Sequence, residues 1–257
     1  MIGAAQKAGR GLRRAFGEIE KLQVSKKGPA DYVSEADHRA EKTIYEELVT
    51  ARPNYGFLME ESGSVEGTDN SNRWIIDPLD GTLNFLHGIP HFAVSIALER
   101  DRELFAGIIY EPISDQLFWA EKGKGAWLNG SRIRVSGRNE MNQSIFATGI
   151  PFAGKEGHKL FLTQLESVME ISAGVRRFGS ATLDLAYVAA GRYDGFWEQN
   201  LNFWDIAGGV VLVREAGGHI SDFKGNKVST GDKGIIASNN ILHNSLKKLI
   251  DTDKGEG

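Results

Sequence analysis

One twelve-residue stretch, WIIDPLDGTLNF at residues 74–85, constrains the fold of this chain more than any other. Three apolar residues open it and predict a short buried strand, which the polar residues that follow cannot continue. The strand should therefore bring Asp77 to the rim of a sheet. Pro78 fixes its own φ angle and donates no backbone hydrogen bond, whereas Gly81 allows backbone conformations that other residues resist. We expect a stiff turn that holds Asp77 and Asp80 in place.

Two carboxylates on such a turn suggest a metal site. They lie three residues apart and offer the hard oxygen ligands that Mg²⁺ prefers. If a helix begins at Thr82, its free backbone N–H groups would suit a phosphate group. The alternative is that Asp77 and Asp80 only cap turns, as Asp beside Pro or Gly commonly does. Taken alone, the stretch leaves both interpretations open.

The composition limits the classes of protein to which this chain can belong. With 257 residues, of which 41% are hydrophobic, the chain can bury a substantial core as one large domain or two closely packed ones. No apolar run approaches the roughly 20 residues that cross a bilayer, and no signal-peptide pattern is present. The chain has no cysteine and a net charge of −4. We therefore expect a cytoplasmic protein without membrane attachment, for which nucleic acid is an unlikely partner.

Further acidic residues stand at the ends of apolar segments. Asp37 follows Ser34 with the spacing of a helix capping box, and Asp205 precedes an apolar helix that it could simply cap. Glu60 ends the predicted strand 57–59, while its neighbour Glu61 is interpreted as a supporting or surface residue. For Asp37 and Asp205, spacing alone does not separate a structural cap from a functional carboxylate.

Taken together, these motifs resemble those of the inositol monophosphatase family, a group of magnesium-dependent, lithium-sensitive phosphatases. The motifs are Glu-Glu-Ser at 60–62, the stretch at 74–85, Trp-Asp-Ile-Ala-Gly at 204–208 and Gly-Gly at 217–218. They occur in the family's order and cover nearly the whole chain. The resemblance implies an α/β (α+β) fold, a layered αβαβα sandwich with N-terminal helices on an antiparallel sheet and a C-terminal α/β portion.

The resemblance also implies roles for individual residues and two or three Mg²⁺ ions per site. The implied metal ligands are Glu60, Asp77, the carbonyl oxygen of Leu79, Asp80 and Asp205. Thr82, together with Asp37 or Glu60, would orient the attacking water. The implied substrate-binding residues are Asp80, Gly81, Thr82, Gly179, Ser180, Ala181, Glu198 and Asp205. Without the resemblance, residues 179–181 would be interpreted as an ordinary helix cap.

The activity implied is the hydrolysis of inositol 1-phosphate or a related polyol or sugar monophosphate, with inhibition by millimolar-range Li⁺. The alternatives within the superfamily are fructose 1,6-bisphosphate, a nucleotide 3′-phosphate and histidinol phosphate. A homodimer is implied as well. A further alternative is a regulatory role with a transcription-related protein partner, for which Arg10, Arg13 and Arg14 on the first helix offer a surface.

The pattern along the chain divides it into residues 1–135, which carry most of the implied metal ligands, and residues 136–257, which complete the site. In the first part we predict helices over 2–21 and from 34 onwards, and strands over 92–98, 103–110 and 115–121. We also predict a loop over 26–31, a mobile loop over 62–73 and a hairpin turn at Asn129-Gly130. In the second part we predict strands over 144–148, 174–178, 193–197, 219–222 and 234–238, alternating with helices over 157–171, 181–191, 205–216 and 240–250.

Overall fold

Three β-sheets and seven α-helices make up the part of the chain that the computed structural model describes, residues 1–18, 24–28, 31–229, 231–232 and 234–251. The helices are α1 (Ile2–Phe16), α2 (Glu35–Ala51), α3 (Thr82–Leu86), α4 (His158–Met169), α5 (Ala181–Ala189), α6 (Phe203–Glu215) and α7 (His243–Ile250). The strands are β1 (Val24–Gly28), β2 (Asp31–Ser34), β3 (Tyr55–Met59), β4 (Gly63–Val65), β5 (Asp69–Asp80), β6 (Ala93–Arg100), β7 (Glu103–Glu111), β8 (Gln116–Glu121), β9 (Gly125–Leu128), β10 (Ser131–Ile133), β11 (Ile145–Thr148), β12 (Gly174–Arg176), β13 (Gly195–Gln199), β14 (Gly218–Asp222) and β15 (Gly234–Asn239).

Two large sheets form the frame. The eight-stranded sheet has the order β10-β9-β8-β7-β6-β5-β3-β4 and is antiparallel except where β3 runs parallel to β5. The five-stranded sheet has the order β12-β11-β13-β15-β14, in which β11 is parallel to both of its neighbours. Strands β1 and β2 pair separately as a hairpin.

The layers follow from which helices pack on which sheet. Helices α1 and α2 pack on one face of the eight-stranded sheet, and α5 and α6 lie between its other face and the five-stranded sheet. Helices α4 and α7 pack together against the outer face of the five-stranded sheet. The result is an αβαβα sandwich, which confirms the predicted fold class. The division of the chain at residue 135 stays a prediction.

Helix α6 is the centre of this arrangement. Its residues from Ile206 to Val213 are all buried, and a helix that is apolar on every side belongs in the interior of a protein. Its approach to the large sheet is closest where Gly208 faces Gly107 of β7. A Cβ atom at Gly107 would lie 2.5 Å from the carbonyl oxygen of Gly208, so this contact requires glycine.

Most predicted elements of the second part are confirmed within a few residues. In the first part, the predicted Asn129-Gly130 turn is also confirmed, since it joins β9 to β10 with both residues at positive φ. The prediction of a mobile loop over 62–73 is wrong, because β4 and the first half of β5 occupy most of it. The predicted loop over 26–31 is wrong at 26–28 and 31, which pair in the β1–β2 hairpin, while residues 29–30 lie outside the described residues. The first helix ends at Phe16, and residues 19–21 are also outside the described part.

The central stretch itself differs from expectation at one point. Strand β5 does not end at Asp77 but continues to Asp80, with a shift in its pairing to β6 between these two residues. Pro78 lies inside this irregularity, where its missing N–H breaks no regular ladder bond. The turn that the sequence predicts is therefore an irregular strand end, and Thr82 begins α3 as expected.

Two glycine substitutions should have opposite effects on stability. Gly107→Ala should lower the free energy of unfolding by about 1–3 kcal/mol, because the new methyl group meets backbone rather than a movable side chain. Gly11→Ala, within α1 and with open space around it, should raise the same quantity by about 0.5–1 kcal/mol. Urea denaturation of both variants checks this. An unchanged midpoint for Gly107→Ala would contradict the close packing of α6 on β7.

Candidate active site

The irregular end of β5 positions the first carboxylate. Asp77 is 2% exposed, and its Oδ1 accepts a hydrogen bond of 3.0 Å from the backbone N–H of Leu79. Gly81 has φ 91° and ψ 33°, and a Cβ atom there would lie 3.0 Å from the carbonyl oxygen of His91. Both the backbone conformation and the close approach favour glycine at this position. The side chain of Asp77 therefore stabilises the bend and remains fixed by it.

Glu60 lies beside Asp77 because β3 and β5 are parallel neighbours. Met59 is in register with Ile76, and the backbone N–H of Glu60 donates to the carbonyl oxygen of Ile76 at 3.2 Å. Burial raises the pKa of Asp77 well above its usual value, and the negative charges of Glu60, Asp80 and Asp205 raise it further. A hydrogen bond between the Asp77 and Glu60 carboxyl groups acts in the same direction.

Asp80 connects the central stretch to the second part of the chain. Its Oδ2 accepts hydrogen bonds from the hydroxyl of Ser180 at 2.6 Å and from the backbone N–H of Thr182 at 2.8 Å. Ser180 is also the N-cap of α5, so Asp80 binds at the positive end of that helix. Burial raises the pKa of Asp80, and these hydrogen bonds oppose the shift. Nearby, Asn84 Nδ2 donates to the carbonyl oxygen of Phe178 at 2.7 Å.

Asp205 lies in the first turn of α6. The N-cap of α6 is Asn202 and not Asp205, so the interpretation of Asp205 as the cap that precedes the helix is wrong. Asp205 is the third residue of the helix and completes a capping box, in which its Oδ2 accepts from the backbone N–H of Asn202 at 2.7 Å. Burial and the charge of Asp80 raise its pKa well above the usual value. The backbone carbonyl oxygen of Asp205 accepts from the Thr182 hydroxyl at 2.8 Å. Through Thr182, the beginnings of α5 and α6 and the Asp80 carboxylate are held together.

Asp37 and Thr82 form a second pair within the site. The capping box predicted at Ser34 is confirmed: Asp37 Oδ2 accepts from the Ser34 backbone N–H at 2.9 Å and from its hydroxyl at 2.6 Å. Thr82 Oγ1 lies 3.1 Å from Asp37 Oδ1 and 3.0 Å from the carbonyl oxygen of Leu79. Asp37 is fully buried, and burial raises its pKa.

Glu198 extends the acidic cluster from β13. Burial raises its pKa to about 8, the charge of Asp80 contributes in the same direction, and Arg177 opposes the shift. Gly149 makes room for this side chain, since a Cβ atom there would lie 1.9 Å from the Glu198 carboxyl carbon. Next to these residues is a cavity of about 320 Å³, lined by Glu60, Glu198 and Asp205 on its acidic side.

The structure brings most of the residues singled out in the sequence into one region. Asp37, Glu60, Asp77, Leu79, Asp80, Gly81, Thr82, Gly179, Ser180, Ala181, Glu198 and Asp205 are connected there by hydrogen bonds, adjacency in the chain or electrostatic interaction. Glu61 follows Glu60 in the chain, and its backbone N–H donates to Glu41 Oε2 at 2.8 Å.

One acidic residue was missed by the sequence analysis. Asp184 of α5 is 1% exposed, and its Oδ1 has no hydrogen-bond partner among the described residues. Burial raises its pKa well above the usual value, and the charges of Glu198 and Asp80 add to the shift. The signal was present in the sequence, because Asp184 is the only charged residue within an otherwise apolar helix.

These carboxylates are oxygen donors of the kind that divalent cations prefer, but they are not grouped into one closed cage. In the described ranges of the chain, no three His, Asp or Glu side chains are grouped so that they could hold one ion. Mg²⁺ commonly uses only one or two carboxylates, with water and substrate phosphate as the other ligands. Adjacent buried carboxylates that raise one another's pKa values are the setting in which a cation would relieve repulsion.

Comparisons with known proteins show which sequences and structures this chain is similar to. A sequence profile described as "Inositol monophosphatase family" matches residues 1–253. An inositol-1-monophosphatase from Caulobacter vibrioides is 58% identical over 97% of this chain and 99% of its own length. A Nus factor SuhB from Pseudomonas aeruginosa is 44% identical over 96% and 93%. The crystal structure of the extragenic suppressor protein SuhB from Bartonella henselae superposes with a TM-score of 0.96 at 54% identity, over 98% of this chain and 97% of that one.

The chain therefore belongs to the inositol monophosphatase family, as the motifs in its sequence predict. In addition, none of the helices within the described residues is long and apolar enough to cross a membrane.

The raised pKa of Glu198 should appear as a pH-dependent stability difference. The pKa rises from 4.5 to about 8 on folding, so the folded state holds the proton more tightly and stability falls as the pH increases through this window. In metal-free protein, Glu198→Gln should therefore be more stable than the wild type by at least about 1 kcal/mol at pH 8, with no such advantage near pH 4.5. Urea denaturation at both pH values measures the difference.

The matched control is Glu166→Gln, which changes an exposed glutamate of α4. Its stability relative to the wild type should not vary between the two pH values. The same pH dependence in both variants would mean that the environment of Glu198 has no special effect on its ionisation.

Proposed function

We propose that this protein is a Mg²⁺-dependent phosphomonoesterase that hydrolyses inositol 1-phosphate or a related polyol or sugar monophosphate. The observation that carries the proposal is the burial of Asp77 against Glu60, Asp80 and Asp205, next to a cavity of about 320 Å³. Such a concentration of negative charge is costly without cations, and a cleft with strongly perturbed carboxylates is typical of an active site. The activity named for the Caulobacter vibrioides relative supports the same reaction.

The residues proposed to hold the ions are those that the resemblance to the family implies. Glu60, Asp77 and the carbonyl oxygen of Leu79 would hold one ion. A second ion is proposed to bind among Asp77, Asp80 and Asp205, whose side chains would have to move closer together, because they are not grouped around one point in the described structure. Two or three ions per site are proposed. When bound, the ions supply positive charge to phosphoryl oxygens and lower the pKa of a water molecule.

Thr82 and Asp37 are proposed to position the attacking water and to receive its proton. Their oxygens are 3.1 Å apart, and the two bonds from Ser34 fix the Asp37 carboxylate. A threonine hydroxyl has one proton and two lone pairs, so Thr82 can donate to Asp37 or to the carbonyl oxygen of Leu79 while it accepts from water. Glu60 is the alternative group for the same role.

The remaining residues of the site are proposed to bind the substrate. Backbone N–H groups at Gly81 and Thr82 would donate to phosphoryl oxygens. Glu198 and Asp205 border the cavity and would accept hydrogen bonds from hydroxyl groups of the leaving alcohol. The turn at residues 179–181 would form the adjoining wall, since Ser180 contacts Asp80 directly. This arrangement favours a polyol over an apolar alcohol.

Other parts of the proposal depend on family membership. We propose inhibition by millimolar-range Li⁺, a cytoplasmic location and a homodimer. These properties accompany the phosphatase reaction in the family that the sequence resembles.

Asp77→Asn tests the proposed chemistry. The substitution preserves size but removes a charge shared by both proposed ion sites, so Mg²⁺-dependent phosphate release from inositol 1-phosphate should fall by roughly 100-fold or more. The variant should stay folded, because the substitution removes a buried charge under repulsion. Phosphate release with and without Mg²⁺ and a far-UV circular dichroism spectrum provide the measurements.

The matched control is Asp101→Asn, at an exposed turn with φ 51°, a conformation that Asn tolerates. Its activity should equal that of the wild type. Retention of most activity in Asp77→Asn would remove the ligand assignment. Initial rates of the wild type with fructose 1,6-bisphosphate, a nucleotide 3′-phosphate and histidinol phosphate then distinguish the proposed substrate from the alternatives.

A second function is favoured by the name of one relative. The Pseudomonas aeruginosa protein, 44% identical, is called a Nus factor, and we propose a transcription-related protein partner for this chain in addition to catalysis. Arg10, Arg13 and Arg14 are exposed along α1 and offer a basic contact surface.

Affinity purification of the full chain from its own cells tests this second function. RNA polymerase or ribosomal components should be retained with the wild type and reduced when Arg10, Arg13 and Arg14 are all changed to Gln, while phosphatase activity stays the same. Recovery of neither component with the wild type would contradict the partner role and leave the phosphatase proposal unaffected.

A further inference from the structure

Two cavities distinct from the acidic cluster meet at a single arginine. They measure about 550 Å³ and 440 Å³, and both are lined by Leu104, Arg214 and Lys227. Arg214 belongs to the last turn of α6, where a cation interacts favourably with the helix dipole. The helix dipole accounts for a basic residue at this position. It does not account for the two cavities on either side of its side chain.

The guanidinium group of Arg214 lacks a fixed partner. Burial lowers its pKa from the usual value, and the charge of Glu103 opposes the shift without forming an ion pair with it. An arginine stays charged in a protein. The hydrogen bonds and ion pairs of the described residues include none for this side chain. Five N–H donors on a half-buried group are therefore left for water or a ligand.

The carboxylates around these cavities are mostly engaged elsewhere, which explains why Arg214 has no ion pair. Glu99 pairs with Arg73 at 2.8 Å, and Glu103 pairs with Lys122 and Lys227. Glu215 accepts hydrogen bonds from the backbone N–H groups of Gly123 and Gly125 at 3.0 and 2.9 Å. Asp69 also lines the larger cavity and accepts hydrogen bonds from the backbone N–H of Ser71 and from Asn72 Nδ2, both at 2.8 Å. Glu66 is the exception, an exposed carboxylate at the edge of the same cavity. Arg102 also lines that cavity and makes no hydrogen bond or ion pair with described residues.

We propose that Arg214, Arg102 and Lys227 form a second anion-binding site that takes a phosphate group. A guanidinium fork matches the oxygens of phosphate and can form two parallel hydrogen bonds with it. The ammonium group of Lys227 uses one N–H donor for its contact with Glu103 at 3.4 Å, which leaves its other two donors for an incoming anion. The site does not depend on the function proposed above.

This site is separate from the acidic cluster. Arg214 follows Asp205 by nine residues in the same helix, which corresponds to about 14 Å along its axis at ~1.5 Å per residue. Without bound cations, the carboxylates of the acidic cluster repel a free anion. Phosphate binding by metal-free protein therefore reports on sites outside the acidic cluster, and the arginine variants show which of these sites binds it.

The experiment titrates inorganic phosphate into full-length, metal-free protein, with isothermal calorimetry as the measurement. The wild type should bind one phosphate saturably. Arg214→Gln should weaken this binding about tenfold or more, because it removes charge-assisted hydrogen bonds. Arg102→Gln, on an exposed loop that tolerates substitution, should weaken it by a smaller factor and serves if Arg214→Gln does not fold.

The matched control is Arg134→Gln, which removes one exposed arginine outside both cavities and should bind phosphate like the wild type. Asp77→Asn should also bind normally. The proposal is overturned if the wild type shows no saturable binding, if neither Arg214→Gln nor Arg102→Gln weakens it, or if Asp77→Asn alone abolishes it. A parallel titration with glycerol 3-phosphate shows whether free phosphate or a phosphate ester is the preferred ligand. The preferred ligand is the one with the lower dissociation constant.

Discussion

The repulsion between buried carboxylates is the constraint on which the rest of this structure depends. Asp77 and Asp80 of β5 meet Asp205 of α6 in a region shielded from water, where burial and neighbouring charges oppose their ionisation. The fold counters this with directed donors: α5 gives Asp80 a hydroxyl and a backbone N–H at its first turn, and Asn202 gives Asp205 another. These bonds keep the acids in place but do not neutralise them.

Three of the acids have a structural role and a position in the site at the same time. Asp77 accepts from the backbone two residues on, and Asp37 and Asp205 each complete a capping box in the first turn of a helix. From the sequence, capping and function were competing explanations for these residues. The structure shows that capping fixes a carboxylate without removing it from the cluster. A cap is therefore no argument against function where several capped acids converge.

Patterns with strong local signals were predictable. The apolar run before Asp77, the capping box at Ser34 and the Asn129-Gly130 turn each fix their own neighbourhood, and the order of the motifs identified the family and hence the layered fold. Residues 62–73 were mistaken for a loop because their pairing depends on backbone hydrogen bonds to neighbouring strands, which polar side chains do not reveal. The space that Gly149 leaves for Glu198 joins residues distant in the chain, so it had no local signal.

The burial of α6 between the two sheets has a mechanical consequence. Because this helix packs by apolar surface on both sides and touches β7 backbone to backbone, the two sheets cannot move apart without exposing a large hydrophobic area. Opening and closing of the halves like a hinge is thus disfavoured. Admission and discrimination of small molecules fall instead to the short segments at the mouth of the cleft, including residues 149–152 and 199–202.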